Sequence, residues 1–302
     1  MFESLFSVLL FFILGYLSRK FNIFDEKSAD TLIRFIIFFA FPSLVIYNVY
    51  YLDLKRSFFF VIISGWLVIL FSIFLSLVIG RYMEFDRVKL SSFIMMASFG
   101  NTSFLGFPFQ LALIGEEGLR YAVVFDQLAS FLPVSLISPF ILSYGQSSGN
   151  IGIDIKKVIT FPPFIALLSA FMIKGIYIPE FVLNGLKMLG LTVIPLALFS
   201  IGINLRFSKV RERIKDISVV IFIKMIFVPL FALVVLYLFS LKPETQWLSF
   251  IVEISMPPMV LASILVIGAG LDRDLAVSSV GIGIIISFIT VPVILYITQI
   301  FL

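Results

Sequence analysis

The sequence predicts an all-α protein of ten transmembrane helices, and its composition, its long uncharged runs and a repeated spacing of prolines carry that prediction. Hydrophobic residues fill 61% of the 302 positions, charged residues fill 13%, and the mean hydropathy is +1.14. A soluble domain carries about 25% charged residues, so this chain has too little polar surface for water. The stretch 58–80 is uncharged and exceeds the roughly 20 residues that cross a bilayer. Lipid is therefore its expected solvent.

Charged or Gly-, Asn- and Pro-rich breaks separate ten apolar segments, which we number spans 1 to 10 in chain order. They cover residues 4–18, 31–50, 57–80, 88–114, 117–143, 157–175, 181–205, 217–240, 245–268 and 275–301. The connections between them are too short to hold a soluble domain. The function is therefore expected to lie within the bilayer or at its surface.

Lysine and arginine are distributed unevenly between the loops. Loops after odd-numbered spans hold 14 of the 22, and loops after even-numbered spans hold 5. Because basic loops stay on the cytoplasmic side, the sequence predicts a multi-pass protein of the cytoplasmic (inner) membrane with both termini outside. This asymmetry also explains the net charge of +4 without a nucleic-acid partner.

Prolines indicate an internal repeat. Pro42 and Pro195 are 153 residues apart, and so are Pro139 and Pro292. Five spans in each half is an odd number, so the second half is expected to be inserted upside down, which is a transporter architecture. Coincidence is the alternative, since proline is frequent in membrane helices. The predicted organisation is a first repeat at 1–143, a cytoplasmic linker at 144–156 and a second repeat at 157–302.

Two spans carry helix-breaking clusters near their middles. Span 4 contains GNTSFLGFP at 100–108, and span 9 contains SMPP at 255–258. Proline lacks an N–H group and clashes with the preceding turn, so both helices are predicted to unwind at mid-depth. Unwound backbone is tolerated in a bilayer only where protein buries it or water reaches it. The positive ends of two half-helices would favour a bound anion; two packing kinks are the alternative.

Side chains and backbone at these breaks are the candidate substrate ligands. Asn101 is the principal one, since its amide and freed backbone N–H groups could hold a carboxylate without a buried base. Alternatively, Asn101 satisfies only the backbone that its own kink opens. The full set comprises Asn101, Thr102, Ser103, Gly106, Pro108, Gln127, Pro257 and Pro258.

Two acids within spans are candidates for binding a coupling ion. Glu253 and Asp126 lie at a depth where charge is costly. Each could carry a proton or bind Na⁺ through oxygen ligands, with Ser255 and Met256 placed at the same site; a pair with a buried base is the structural alternative. No other cofactor is expected. Lys224 in span 8 is predicted to snorkel to the surface rather than attract substrate.

The chain contains no cysteine, no histidine and no phosphate-binding GxxxxGK[ST] loop. The usual metal ligands, the usual proton shuttle and the P-loop mode of ATP hydrolysis are therefore missing. The sequence does not predict an enzyme.

At its motifs the sequence resembles the auxin efflux carrier family, nearly end to end. The resemblance is most specific at RFIIFFAFP (34–42) and NTSFLGFP (101–108), with support from VVFDQ (123–127) and Lys224 followed by Pro229. It implies two inverted five-helix repeats, a scaffold domain, and a transport domain in which the helices of spans 4 and 9 cross. It also implies an elevator-like motion and anionic substrates such as mono- or dicarboxylates.

The same fold is shared with sodium-coupled bile acid transporters, whose acidic sodium ligand in the ninth helix is similar in position to Glu253. This sequence departs from both patterns at Pro258, where a polar residue often stands.

From the composition and the family resemblance together, we expect a symporter or efflux carrier of small organic anions within the lipid bilayer. A bile-acid-like sodium symporter and a membrane sensor or channel are the alternatives, and a homodimer is compatible with the sequence.

Overall fold

The computed structural model describes residues 2–51, 58–146, 160–205 and 207–302, and this part of the chain is helical without any β-strand. From residue 147 onward, the predicted linker at 144–156 lies outside the described residues. The helices are α1 Phe2–Lys20, α2 Glu26–Phe35, α3 Phe41–Tyr50, α4 Phe59–Tyr82, α5 Arg87–Ser98, α6 Phe107–Leu113, α7 Glu116–Phe125, α8 Leu132–Gln146, α9 Pro162–Ile173, α10 Glu180–Leu191, α11 Val193–Asn204, α12 Phe207–Glu212, α13 Ile214–Phe222, α14 Val228–Leu238, α15 Thr245–Ile254, α16 Val260–Gly268 and α17 Arg273–Phe301.

Several helices are long and apolar enough to cross a membrane. Within the described ranges, length and composition identify six such stretches, at Glu26–Tyr47, Phe59–Tyr82, Glu116–Gln146, Glu180–Asn204, Ile214–Leu238 and Arg273–Phe301. Large apolar side chains on their outer faces are exposed, among them Leu67 and Phe74 at 62% and 63%. Such a surface requires lipid, so the chain is a multi-pass membrane protein. Spans 1, 4, 6 and 9 coincide with α1, with α5 and α6, with α9, and with α15 and α16.

In the described part of the chain, four short π-helical turns each end two residues before a proline; three lie within a continuous helix and the fourth opens α6. The turns are Ile36–Ala40, Thr102–Gly106, Asp126–Phe131 and Ile223–Phe227, and the prolines that follow are Pro42, Pro108, Pro133 and Pro229. A proline removes one hydrogen bond and its ring crowds the carbonyl four residues earlier. A wider turn absorbs that conflict without ending the helix.

The helices pack in two sets. In the first set, α1 packs along α11, and α3 packs against α9 and α10. In the second, α4 and α8 pack against α5, and α7 packs against α15. The first set also includes α2, which packs on α11, and the second includes α17, which packs on α15 and α5. Ion pairs join the sets at the end that carries the basic loops, where Arg273 at the start of α17 contacts Asp30 and Glu26 of α2.

Helices α1 and α11 approach each other with backbone in contact. A Cβ atom added at Gly202 would overlap the carbonyl of Phe12 and lie 3.0 Å from the Cα atom of Gly15. A Cβ atom added at Gly15 would in turn overlap the carbonyl of Phe199. This crossing can form only when both positions lack a side chain, as at close helix crossings in membranes.

Gly202→Ala is therefore expected to destabilise the protein by about 1–3 kcal/mol, because backbone must move to admit the methyl group. The melting temperature of the purified protein measures this effect. Gly185→Ala on α10 is the matched control, since a Cβ atom there meets nothing within 4 Å. An equal melting temperature for Gly202→Ala and the control would contradict the close crossing.

Candidate functional site

The two interrupted helices meet at their breaks. Helix α5 ends at Ser98 and α15 ends at Ile254. The N–H group of Asn101 donates to the carbonyl of Pro257 at 2.9 Å, and the N–H group of Met259 donates to the carbonyl of Phe99 at 2.9 Å. Gly100 and Pro258 thereby form an antiparallel bridge. Each break thus supplies hydrogen-bond partners to the other, as buried backbone in a membrane requires.

Lys224 lies against this crossing instead of reaching the membrane surface. Its side chain is 3% exposed, and Nζ donates to the carbonyl of Ile254 at 2.7 Å. A Cβ atom at Gly100 would lie 3.0 Å from Nζ, so the glycine makes room for the ammonium group. The prediction that Lys224 snorkels was wrong, because the end of α15 offers a carbonyl and a negative helix terminus inside the protein.

Glu253 is fully buried beside a glutamine that the sequence analysis did not identify. Gln110 Nε2 donates to Glu253 Oε1 at 2.9 Å and to the carbonyl of Ser249 at 2.8 Å. Both N–H bonds of the Gln110 side-chain amide therefore donate within the protein. Glu253 Oε2 and Gln110 Oε1 are buried without a hydrogen-bond partner among the described residues. Two unpaired acceptors in one buried place fit a proton or a cation. The lone amide in the apolar run FPFQLALI was the available signal.

Asp126 belongs to a second polar group. Its Oδ1 lies 2.6 Å from Thr102 Oγ1, and its Oδ2 accepts from Gln127 Nε2 at 3.1 Å. Thr102 Oγ1 also lies 2.9 Å from Ser130 Oγ. A hydroxyl has one proton, so Thr102 donates to the carboxylate and accepts from Ser130. Thr102 therefore holds Asp126 against the broken span 4.

A cavity of about 180 Å³ lies between the crossing and the first set of helices. Asn101, Ser103, Asp126 and Gln127 line its polar side. The opposite wall comes from α3, α10 and α11 and includes Leu44, Gly190, Val193 and Ile194. Asn101 is 2% exposed, and its Nδ2 has no hydrogen-bond partner in the described part of the chain. A buried donor without a partner at a cavity wall is suited to an acceptor on a ligand.

The remaining candidate residues have structural contacts at the crossing. Gly106 faces the Glu253 carboxylate, and Pro108 is buried in the first turn of α6. The carbonyl of Pro257 accepts from the N–H group of Asn101, and Pro258 forms the bridge with Gly100. Ser255 Oγ donates to the Ile251 carbonyl at 2.6 Å, and Met256 is fully buried. Asp126 and Glu253 belong to different hydrogen-bonded groups. Within the described ranges, no three Asp, Glu, His or Cys side chains are grouped to hold a metal ion.

Gly106 leaves the space that the Glu253 carboxylate occupies. A Cβ atom at this position would lie 2.5 Å from Oε2 and 2.8 Å from Oε1. Gly106→Ala is expected to displace the carboxylate from Gln110 and to lower stability by about 1–3 kcal/mol, because a buried polar group loses its partner. Melting temperatures of the purified variants measure the effect.

Adding Glu253→Asp, which shortens the side chain by one methylene, should recover part of the loss caused by Gly106→Ala. The double-mutant cycle isolates this pairwise coupling from the separate effects of the two changes. Strictly additive effects would show that Gly106 and Glu253 do not compete for the same space.

Comparison with known proteins places this chain among transporters. A family model described as membrane transport protein matches the chain twice, over residues 1–151 and 149–295. An uncharacterized transporter of Methanothermobacter thermautotrophicus is 29% identical over 293 residues, which is 96% of each chain. An uncharacterized transporter of Methanocaldococcus jannaschii is 30% identical over 213 residues, which is 66% of this chain and 67% of that protein.

Proposed function

We propose that this chain, which belongs to the membrane transport protein family (the auxin efflux carrier family), is a secondary active transporter of small organic anions. The family named from the sequence motifs is thereby confirmed, and the chain is a membrane transporter. The observation that carries the proposal is the buried, unpartnered amide of Asn101 at the wall of a cavity beside two interrupted helices. We place the substrate carboxylate there, with Ser103 and Gln127 beside it.

The size of the cavity favours a small substrate. Pockets for drug-sized ligands measure about 300–1,000 Å³, and this one measures about 180 Å³. A mono- or dicarboxylate of a few carbons fits that space better than a sterol does. This comparison separates our proposal from a bile-acid-like symporter.

The substrate anion has to share its cavity with Asp126. Two neighbouring carboxylates repel each other when both are ionised. Binding therefore requires a proton or a cation to enter with the anion, or Asp126 to be protonated beforehand. The unpaired oxygens of Glu253 and Gln110 offer a second place for the same positive charge. We propose that H⁺ or Na⁺ is the coupling ion, with Glu253 as its principal binding residue and Asp126 as a second one.

The arrangement of helices supports alternating access by an elevator-like motion. We propose ten membrane helices in two inverted repeats, 1–143 and 157–302. In this proposal α1–α3 and α9–α11 form a scaffold, and the other helices form a transport domain. The cavity lies between these sets, so sliding one past the other would expose it to each side in turn. The basic loops would face the cytoplasm and both termini the outside.

Asn101→Ala is expected to lower substrate affinity by roughly 10- to 100-fold, since a hydrogen bond to a charged group contributes about 1.5–3 kcal/mol. Counterflow of labelled carboxylates in proteoliposomes measures it, and transport at low substrate concentration should fall to background. Asn184→Ala, which changes an exposed asparagine on α10, is the matched control. Normal flux through Asn101→Ala would defeat the site, and unsaturable current through the wild type would indicate a channel.

Glu253→Gln should abolish the dependence of transport on an ion gradient while sparing exchange, because the amide is isosteric but neither carries a proton nor attracts a cation. Uptake is measured with H⁺ and Na⁺ gradients imposed separately, which also identifies the ion. Glu180→Gln, at the exposed start of α10, is the control. Gradient-driven uptake that survives in Glu253→Gln would leave this residue with a structural role.

A further inference from the structure

A larger cavity, of about 400 Å³, lies between the two sets of helices nearer the basic loops. Arg34 and Phe38 line it from the helix of span 2, and Gln146 lines it from the end of α8. Gly268 and Ala269, at the end of α16, complete this wall. The cavity is thus formed by the same two sets of helices that enclose the smaller cavity at the crossing.

Arg34 gives the larger cavity an uncompensated positive charge. It is the sole charged side chain among the described residues of the lining, and it is exposed. It makes no hydrogen bond or ion pair with any residue that the structure describes. By contrast, two arginines that line a separate polar cavity have acidic partners. Arg213 contacts Asp272, and Arg273 contacts Glu26. A guanidinium group in a cleft attracts carboxylates and can bind them through two parallel hydrogen bonds.

Phe41, which lies along span 2 between residues that line the two cavities, packs against a phenylalanine of the smaller cavity. Phe41 is fully buried and packs edge-to-face on Phe131, with ring centroids 5.3 Å apart at 85°. Phe131 lines the smaller cavity. Along the helix of span 2, Arg34 lines the larger cavity and Leu44 the smaller one. These two residues are about 15 Å apart at the rise of an α-helix, with Phe41 between them.

From this arrangement, and resting on the proposed function, we propose that the larger cavity is the vestibule through which the anion reaches the crossing. Arg34 concentrates small carboxylates in the vestibule, and the Phe41–Phe131 pair closes the crossing cavity to it. The anion passes when these rings separate. Arg34 then acts on the rate of capture and not on affinity at the crossing.

The absence of cysteine from the chain allows a test that does not depend on transport. Ala269→Cys places one thiol in the vestibule, and its modification rate is measured with an anionic methanethiosulfonate and with a cationic one of similar size. Adding Arg34→Gln should lower the anionic-to-cationic rate ratio by roughly threefold to tenfold, the effect of removing one charge from a cleft. Arg81→Gln is the matched control, since Arg81 is an exposed residue in the last turn of α4, outside the vestibule lining.

An unchanged rate ratio in Arg34→Gln, or an equal change in Arg81→Gln, would overturn the role of Arg34. Transport by the same variants separates the two proposals. Arg34→Gln should raise the KM for the carboxylate while its affinity, measured by thermal shift, stays the same. If the wild type fails to carry carboxylates, the proposed function fails whatever the labelling shows. If it carries them and Arg34→Gln has a normal KM and rate ratio, only the vestibule fails.

The aromatic closure is tested at a second thiol, Leu44→Cys, in the smaller cavity. Phe131→Leu should increase the modification rate there and make the rate ratio depend on Arg34, because reagent then enters through the vestibule. Phe41→Leu is a second variant with the same expectation, and melting temperatures establish that both are folded. Unchanged modification of Leu44→Cys in both folded variants would exclude the closure.

Discussion

The reciprocal hydrogen bonds between the two interrupted helices are the constraint on which the rest of the site depends. An unpaired backbone group in hydrocarbon costs several kcal/mol, and each interruption exposes such groups. Asn101 pairs with Pro257 and Met259 pairs with Phe99, so each break can exist only in the presence of the other. The extended segment that results brings Gly100 beside Lys224 and sets Asn101 at the cavity wall.

The buried charges follow from the same crossing. Because α15 ends at Ile254, the carbonyl of that residue is free to accept a hydrogen bond from Lys224. The interrupted span 4 carries Thr102, which contacts Asp126, and Gln110, which contacts Glu253. Two acids and one base lie in this region, and the described ion pairs do not join them. The interior therefore has an excess of acidic groups, which is stable only when a proton or cation compensates for it. The coupling ion proposed for this protein would supply that compensation.

Sequence reasoning located the breaks because glycine and proline act locally, through missing N–H groups and missing side chains. It also singled out Asn101, Asp126 and Glu253 as candidates, since polar groups stand out in apolar runs, and the structure places all three at buried positions. It missed Gln110 and assigned Lys224 to the surface. Their roles depend on partners 143 and 30 residues away, Glu253 and the Ile254 carbonyl. No local pattern specifies such partners.

One short segment connects the two polar groups. The π-helical turn Thr102–Gly106 contacts Asp126 at its first residue and makes room for Glu253 at its last. Its neighbour Asn101 and its own Ser103 line the cavity. A ligand that draws Asn101 or Ser103 toward itself must move a turn whose other end is packed against the Glu253 carboxylate. Closely packed atoms transmit such a displacement instead of absorbing it. In the proposed mechanism, this five-residue turn is the segment that would link occupation of the cavity to charge compensation at Glu253.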